Sequence, residues 1–349
     1  MGGRRSAVHT DGRMNPWLRE SMLEAAPSSP RSLREPVRSR LDAVRRRIVA
    51  TVADGYAAVD EVSDYLAGME GKLVRPTLLL LANEVGDNPD ERAIDLAAVV
   101  ELVHVATLVH DDAVDHSVRR RGMPTVNARW THQVAIIMGD FLYSRALTEL
   151  ARLGDVEAVE ILGDAANRMT VGEMRQLMAH DALDAGEEDY ELLCECKTAS
   201  LMAAACELGA LVGRPDLREP LRSYGYALGM AFQVTDDLLD YTASSRVMGK
   251  PSGQDLREHK VTLPLIAALP SLDRDERSRV DALFAHPEPG DDLVAEVVGI
   301  VERRGGLEYA RDRARFWAER AAGWLEDLPS GPATEALTQA ADFVVTRRS

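Results

Sequence analysis

The sequence is poor in cysteine, with only three among its 349 residues, all in the stretch from Cys194 to Cys206. They lack the paired spacing of a zinc site, and they are too few for the disulfide framework of a small secreted domain. Basic residues are also in short supply, because 41 Lys and Arg stand against 57 Asp and Glu and the net charge is −16. Such a chain is not expected to bind nucleic acid or anionic membranes non-specifically.

Long apolar runs and aromatic residues are scarce as well. No uninterrupted apolar run reaches the roughly 18 residues of a membrane span, and the basic N-terminus is not followed by the apolar region of a signal peptide. We therefore expect a cytoplasmic protein with no stable membrane anchor. Aromatic residues make up 5% and hydrophobic residues 46% of the chain, so the core should consist of Leu, Val, Ala and Met.

Apolar residues recur at helical spacing through most of the chain, as in Leu96, Val99, Val100 and Val103. The two-residue alternation of strands is hard to find. Residues 1–35 are rich in Arg, Ser, Pro and Gly and are interpreted as a flexible N-terminal arm. The remainder, 36–349, shows neither an internal repeat nor a break between two cores. The sequence thus predicts an all-α protein, a single large helical bundle.

Two matched aspartate clusters are the first chemical signal. The clusters are Asp111, Asp112 and Asp115 in LVHDDAVDH, and Asp236, Asp237 and Asp240 in QVTDDLLDY. Residues spaced i, i+1 and i+4 on a helix point into one arc of about 100°. Carboxylates about 4 Å apart repel by roughly 4 kcal/mol at an effective dielectric near 20, so such a cluster calls for a cation.

The position of the clusters argues against the alternative that they are merely solvated acidic helix faces. Each follows an apolar segment at the C-terminal end of a predicted helix, where the helix dipole disfavours anions. Oxygen ligands of this kind suit Mg²⁺, which commonly bridges carboxylates to substrate phosphates. The pair of clusters therefore indicates a phosphorylated substrate.

Basic residues occur at four defined places near these clusters. They are Lys72 and Arg75; Arg119, Arg120 and Arg121; Lys197 beside Thr198; and Lys250 and Lys260. Arg binds phosphate oxygens in pairs and Lys as a point charge, so a site for two diphosphates needs about this many. Taken singly, each is more commonly a solvated surface residue, and it is the combination that favours a binding site.

These motifs, in this order, resemble the trans-isoprenyl diphosphate synthase, or polyprenyl synthetase, family. They are GKLVRP, HVATLVHDDAVDHSVRRRGMPTVN, GDFLYSRAL, KTASL, FQVTDDLLDY and GKPSGQDLREHKVTLPLIAAL. The resemblance implies a helical bundle of the isoprenoid synthase type with a deep central cavity, working as a homodimer. It implies isopentenyl diphosphate and an allylic diphosphate as substrates and three Mg²⁺ ions as cofactors. Two departures are Arg119, one arginine more than the usual pair, and His259, where the family often has Gly.

The resemblance also implies a role for each motif residue. The metal ligands and catalytic carboxylates would be Asp111, Asp112, Asp115, Asp236, Asp237 and, as a ligand, Asp240. The allylic diphosphate would be contacted by Arg120, Lys197, Thr198, Gln233, Lys250 and Lys260, with Lys197 also catalytic. Isopentenyl diphosphate would be bound by Lys72, Arg75, His104 and Arg121. For His104, a plain core histidine remains the alternative.

The implied reaction is head-to-tail condensation, in which ionisation of the allylic diphosphate is promoted by metal and basic groups. Product length should depend on the residues below the first cluster: Ala106 and Thr107 one turn deeper, at about 5.4 Å, and Val100 beyond them. Because the bulky aromatics of short-chain members are absent there, the expected all-trans product is long, about thirty carbons or more. Met138, Phe141 and Leu142 are candidate floor residues, although plain core packing explains them equally well.

Three other functions remain open at this point. A farnesyl or geranylgeranyl diphosphate synthase would differ only in product length. A class I terpene cyclase would not need the second cationic group with Lys72 and Arg75, and it would release a cyclised hydrocarbon without isopentenyl diphosphate. A non-catalytic partner subunit would be free to lose the candidate ligands, all of which are present.

Overall fold

The protein is described by a computed structural model, which covers residues 33–69, 71–86, 89–178, 182–242 and 253–347. In chain order its α-helices are α1 (Arg38–Val52), α2 (Ala57–Gly68), α3 (Val74–Glu84), α4 (Arg92–Val114), α5 (Val126–Arg129), α6 (His132–Leu153), α7 (Val156–Met178), α8 (Glu187–Cys194), α9 (Ser200–Gly213), α10 (Arg218–Thr242), α11 (Gln254–Arg257), α12 (Leu263–Ala268), α13 (Arg274–Ala285), α14 (Asp291–Arg303), α15 (Gly306–Gly323) and α16 (Pro332–Thr346). The predicted all-α fold is confirmed. Buried hydrophobic side chains from Val37 to Val344 form one continuous core.

Helix α4, which ends in the first aspartate cluster, is a core helix. Leu96, Val99 and Val100 are at most 1% exposed, and α4 packs most extensively against α6 while also contacting α1, α3 and α9. By length and composition α4 and the segment Glu187–Gly213 are apolar enough to cross a membrane, but 61% and 83% of their apolar windows are buried inside the protein. Packing in the core accounts for this apolar character.

Helix α10, which carries the second cluster, packs against α9, α15 and α16. Glycines allow the close approach to the preceding helical segment. A Cβ at Gly225 would lie 2.6 Å from the carbonyl oxygen of Met202, and a Cβ at Gly229 would lie 2.5 Å from Cα of Ala199. Because both contacts are to backbone atoms, a larger residue would push the helices apart.

A small two-stranded ribbon follows α4. Strands β1 (Arg119–Arg120) and β2 (Met123–Pro124) pair antiparallel. The turn between them has positive φ at both central residues, 50° at Arg121 and 78° at Gly122, as a type I′ turn requires. The arginine at its tip is therefore placed by a backbone conformation that a non-glycine residue seldom adopts.

The three cysteines Cys194, Cys196 and Cys206 are buried and form no disulfide. Of the predicted N-terminal arm, residues 1–32 lie outside the described residues. Leu33 and Arg34 are already helical, and a 3₁₀ turn (Glu35–Val37) leads into α1.

Candidate active site

The first aspartate cluster stands at the C-terminal end of α4, with Asp115 at the cap position. Nε of Arg120 donates to both carboxylate oxygens of the buried Asp112, at 3.0 and 2.9 Å. Asp111 has no hydrogen bond to its carboxylate within the described part of the chain. Burial and the nearby Glu173 raise the pKa of Asp111 to about 7, so its negative charge is only partly compensated by the protein.

The second cluster stands in the last two turns of α10. The carboxylate of Asp237 is buried and has both oxygens engaged, by the hydroxyl of Tyr190 at 2.6 Å and by Nε2 of Gln233 at 2.8 Å. Burial nevertheless raises the pKa of Asp237 to about 7. Thr198 donates to Oε1 of Gln233 at 2.7 Å, so a chain of hydrogen bonds joins this carboxylate to the KTASL motif.

Asp236 is the exposed member of the second cluster. Its Oδ1 lies 3.2 Å from Nη2 of Arg347, which also donates to the carbonyl oxygen of Phe232 at 3.1 Å. The guanidinium carbon of Arg347 stands 4.1 Å from the ring centroid of Phe232. The C-terminal arginine is thereby fastened beside the second cluster.

Asp240 caps the short helix α11. Its two carboxylate oxygens accept the backbone N–H groups of Gln254 and Asp255, at 3.1 and 3.0 Å. The backbone N–H of Lys260 in turn donates to the carbonyl oxygen of Asp255 at 2.8 Å. Burial and the neighbouring Asp237 raise the pKa of Asp255 to about 8. Asp240 therefore holds the segment that presents both another carboxylate and a predicted phosphate ligand.

Two lysines connect the clusters. Nζ of Lys260 lies 3.8 Å from Oδ2 of Asp115, so the segment held by the second cluster reaches the first. Lys197 lowers the pKa of Asp111 electrostatically, and its Nζ lies 2.7 Å from Oε1 of Glu173. The two aspartate clusters thus border one site.

A π-helical turn, Glu195–Ala199, positions Lys197 and Thr198. Gly172 of α7 and Gly229 of α10 approach this turn so closely that a Cβ at either would lie 2.5 Å from one of its carbon atoms. The π turn is wider than an α-helical turn. Helices α7 and α10, which pack against it from two sides, leave room for it only because they have glycine at the points of contact. Single π turns of this kind are frequent at functional sites.

The residues predicted to bind the second diphosphate are also brought together. Nη1 of Arg75 lies 3.0 Å from Nε2 of His104. Burial, followed by Arg75 and Arg121, lowers the pKa of His104 well below its usual value, so the ring is neutral and accepts from the guanidinium. Nη1 of Arg121 donates to the carbonyl oxygen of Met69 at 3.0 Å. Partial desolvation lowers the pKa of Lys72, which precedes α3, and the charges of Arg347 and Arg121 lower it further.

Five residues of the site did not stand out in the sequence: Arg34, Glu101, Tyr190, Asp255 and Arg347. Arg34 donates to the carbonyl oxygen of Lys72. Asp255 falls within a motif that resembles the family, which was its available signal. Glu101 is an acidic residue inside an apolar helix, a pattern that invites a search for partners. For Arg34 and Tyr190 no local pattern existed, because their roles depend on helix packing.

The face of α4 that leads to the first cluster carries His104, Thr107, Leu108 and Asp111, and each of these side chains is partly exposed. Ala106, at 1% exposure, lies beside this face. The turn of α4 before Asp111, about 5.4 Å long, therefore carries no Phe, Tyr or Trp side chain.

Other predicted residues have less definite positions. Lys250 lies outside the described residues, and its role stays a prediction. Val100, Met138 and Leu142 are buried, at 3% exposure or less. Phe141 is partly buried, with its ring centroid 5.2 Å from Cζ of Arg145. Burial of this kind fits core packing and a tunnel floor equally well.

Among the described residues, no three His, Cys, Asp or Glu side chains lie close enough to hold a metal ion by themselves. Mg²⁺ commonly uses only one or two carboxylates and takes its remaining ligands from water and substrate phosphates. The donor set of carboxylate oxygens fits this hard cation, and the raised pKa of Asp111 indicates a carboxylate that an ion would stabilise in its charged form.

Comparison with known proteins agrees with this geometry. The model of the family described as polyprenyl synthetase matches residues 56–301. The chain belongs to this family. It is therefore an enzyme, a prenyltransferase of the prenyl diphosphate synthase type, and the family predicted from the motifs is confirmed.

Relatives with different product names match this polyprenyl synthetase. An all-trans-nonaprenyl-diphosphate synthase (geranyl-diphosphate specific) of Rhodobacter capsulatus is 37% identical over 87% of this chain and 98% of its own. A short chain isoprenyl diphosphate synthase of Methanothermobacter thermautotrophicus is 38% identical over 82% of this chain and 89% of its own. A crystal structure of a Caulobacter crescentus polyprenyl synthase, complexed with calcium and isoprenyl diphosphate, superposes with a TM-score of 0.87 at 33% identity, covering 93% of this chain and all of the other. The isoprenoid synthase type of bundle is thereby confirmed.

Proposed function

We propose that this polyprenyl synthetase elongates an allylic diphosphate by head-to-tail condensation with isopentenyl diphosphate. The observation that carries the proposal is the pairing of two acidic clusters around one site with a separate group of cations, Lys72, Arg75 and Arg121, beside it. The acidic clusters suit a metal-bound diphosphate, and the cations suit a diphosphate bound without metal. One enzyme with both has places for two diphosphate substrates.

The six aspartates divide into two sets by their hydrogen bonds. Asp112, Asp237 and Asp240 have both carboxylate oxygens engaged by protein donors. We infer that Mg²⁺ is held chiefly by the other three, Asp111, Asp115 and Asp236, and that the engaged three give the site its shape. When bound, the predicted three Mg²⁺ ions would stabilise the negative charge that develops on the departing diphosphate.

Basic side chains of the protein supply the remaining positive charge and position the two substrates. Lys197, Lys260 and Arg120 add positive charge around the allylic diphosphate as its C1–O bond breaks. Arg75 and Arg121 hold the diphosphate of isopentenyl diphosphate, so that its double bond faces the resulting allylic cation. A C–C bond forms between C1 of the allylic cation and C4 of isopentenyl diphosphate, which moves the positive charge to C3. A proton then leaves C2 to restore a double bond, with the departed diphosphate as its acceptor. The product keeps the diphosphate that isopentenyl diphosphate brought.

We infer a long, all-trans product of about thirty carbons or more. The accessible face of α4 below Asp111 presents Thr107 and Leu108, with Ala106 beside it, and no aromatic residue within the first turn of about 5.4 Å. The absence of an aromatic residue there favours a product like that of the nonaprenyl diphosphate synthase over one like that of the short chain synthase. A farnesyl or geranylgeranyl product is the competing outcome, and mass spectrometry of dephosphorylated products separates them.

We also infer that the enzyme acts as a homodimer. Large apolar side chains are exposed on two neighbouring helices, among them Ile137 and Leu147 on α6 and Met174 and Leu177 on α7. Exposed apolar surface of this extent is typical of a protein interface. Sedimentation of the purified chain should give a dimer, and Leu147→Glu with Met174→Glu should give a monomer.

The proposed reaction is tested with the purified chain, Mg²⁺, farnesyl diphosphate and isopentenyl diphosphate. Elongated products are expected, and a cyclised hydrocarbon formed without isopentenyl diphosphate would indicate a terpene cyclase instead. Asp111→Asn and Asp236→Asn should each lower turnover by about 100-fold or more. Asp281→Asn, which removes a surface carboxylate paired with Arg277, is the matched control. Full turnover in both site variants would refute the proposal.

A further inference from the structure

Glu101 is a buried acidic residue inside the cationic group that receives the second diphosphate. It lies on α4, one turn before His104, and is 4% exposed. Three arginines from separate parts of the chain, Arg75, Arg121 and Arg34, act on it electrostatically and oppose the pKa increase that burial causes. No step of the proposed reaction uses this carboxylate.

The polar atoms of Glu101 and Arg75 are not all paired within the described part of the chain. Oε2 of Glu101 and Nε of Arg75 are both buried, and neither has a hydrogen-bond partner among the described residues. A structural carboxylate–guanidinium pair in a dry site normally closes through two parallel hydrogen bonds. Here a donor of Arg75 is left available for another acceptor.

The backbone keeps the carboxylate close to the arginine at the tip of the ribbon. A Cβ at Gly71 would lie 3.2 Å from Oε1 of Glu101 and 3.4 Å from Nη1 of Arg121. Glycine at this position therefore leaves room for both side chains beside the backbone that precedes Lys72. Glu101 is within electrostatic reach of both arginines that we assign to isopentenyl diphosphate.

We propose that Glu101 is a resident counter-ion that competes with the diphosphate for Arg75 and Arg121 and thereby limits the affinity of the second site. In the free enzyme it offsets the repulsion between the neighbouring guanidinium groups. In the complex the diphosphate takes over that role, and the carboxylate becomes a source of repulsion. This proposal rests on the proposed function, which assigns these arginines to isopentenyl diphosphate.

A limited affinity follows from the chemistry of repeated elongation. Each condensation leaves the product diphosphate on the arginines of the second site, while the next round requires it at the aspartate clusters. A diphosphate bound too tightly by Arg75 and Arg121 would delay that transfer. Glu101 acts through the arginines and touches no reacting atom, so it is a positioning residue.

The test is calorimetric titration of isopentenyl diphosphate into the full chain in EDTA, where the metal-dependent site is silent. Glu101→Gln should lower the dissociation constant by about tenfold, equivalent to about 1.4 kcal/mol at 25 °C, and should lower the melting temperature of the unliganded chain. In turnover, its KM for isopentenyl diphosphate should fall and shorter products should accumulate. Glu276→Gln, which removes a carboxylate paired with Arg304 at 2.6 Å, should leave the dissociation constant unchanged.

Other results would overturn the proposal. A higher dissociation constant in Glu101→Gln would mean that the carboxylate merely supports the arginines, and an unchanged one would mean that it does not influence the site. If Glu101→Gln does not fold, Glu101→Asp, which draws the charge back by one methylene, should show a smaller decrease, and an increase or no change would be decisive against it. Absence of isopentenyl diphosphate binding by the wild-type chain would also refute it. If the wild-type chain binds isopentenyl diphosphate but does not elongate an allylic diphosphate, the proposed function is refuted instead.

Discussion

Tyr190→Phe tests whether the hydrogen bond to Asp237 is a bond to a charged carboxylate. The substitution removes only the hydroxyl, which donates to Oδ2 of Asp237 at 2.6 Å in a buried setting. A hydrogen bond to a charged group is worth about 1.5–3 kcal/mol, and one between neutral groups about 0.5–1.5 kcal/mol. The cost of the substitution should therefore depend on whether Asp237 is ionised.

The direction of the pH effect follows from the pKa. Burial raises the pKa of Asp237 to about 7, while the Tyr190 hydroxyl lowers it. A carboxyl with a raised pKa stabilises the fold below its unfolded value of about 3.9, and this contribution is lost as pH rises through about 7. Removing the hydroxyl raises the pKa further and enlarges that loss. Tyr190→Phe should cost about 1 kcal/mol near pH 5.5 and about 2–3 kcal/mol near pH 8.5.

The assay is urea unfolding in EDTA at both pH values. Tyr224→Phe is the matched control, because its buried hydroxyl donates to the carbonyl oxygen of Leu337 at 2.7 Å, an acceptor that does not titrate. Its cost, about 1 kcal/mol, should be the same at both pH values. If Tyr190→Phe also lowers the unfolding free energy equally at both pH values, Asp237 does not change its charge between them and its pKa is not raised to this range.

Three further results are expected. Because burial raises the pKa of Asp111 to about 7, the affinity for Mg²⁺ should increase between about pH 6 and about pH 8, and equal dissociation constants in calorimetry would contradict this. Thr107→Phe should shorten the product by filling the accessible face of α4, with Thr107→Val as the size-matched control, whereas an unchanged mass spectrum would remove that explanation. Gly229→Ala puts a Cβ 2.5 Å from Cα of Ala199 and should cost about 1–3 kcal/mol in unfolding free energy. Gly163→Ala, whose Cβ meets open space, should not lower the unfolding free energy. Equal losses in the two variants would mean that the contact at the π turn is unimportant.

Much of the site could be predicted from the sequence, because its strongest signals are local. The spacing of Asp111, Asp112 and Asp115 within one helix determines that they share a face, whatever the helix packs against. The helical class likewise follows from a 3.6-residue period that is set by the backbone. The motifs in their order led directly to the family.

Local spacing did not separate aspartates that the protein itself engages from those left for a cation. Asp112 is held by Arg120 on the ribbon, Asp237 by Tyr190 on another helix and Asp240 by backbone N–H groups beyond the end of α10. Each partner is fixed by folding rather than by helical spacing.

The counter-ion Glu101 shows the same division. The sequence by itself determined that an acidic residue lies inside an apolar helix one turn from His104. The tertiary structure alone decided that arginines from three distant segments act on it electrostatically, and that Oε2 of Glu101 and Nε of Arg75 lack a hydrogen-bond partner among the described residues. Helical periodicity is a property of neighbouring residues, whereas the charge balance of a buried site depends on which distant segments the packed core brings together.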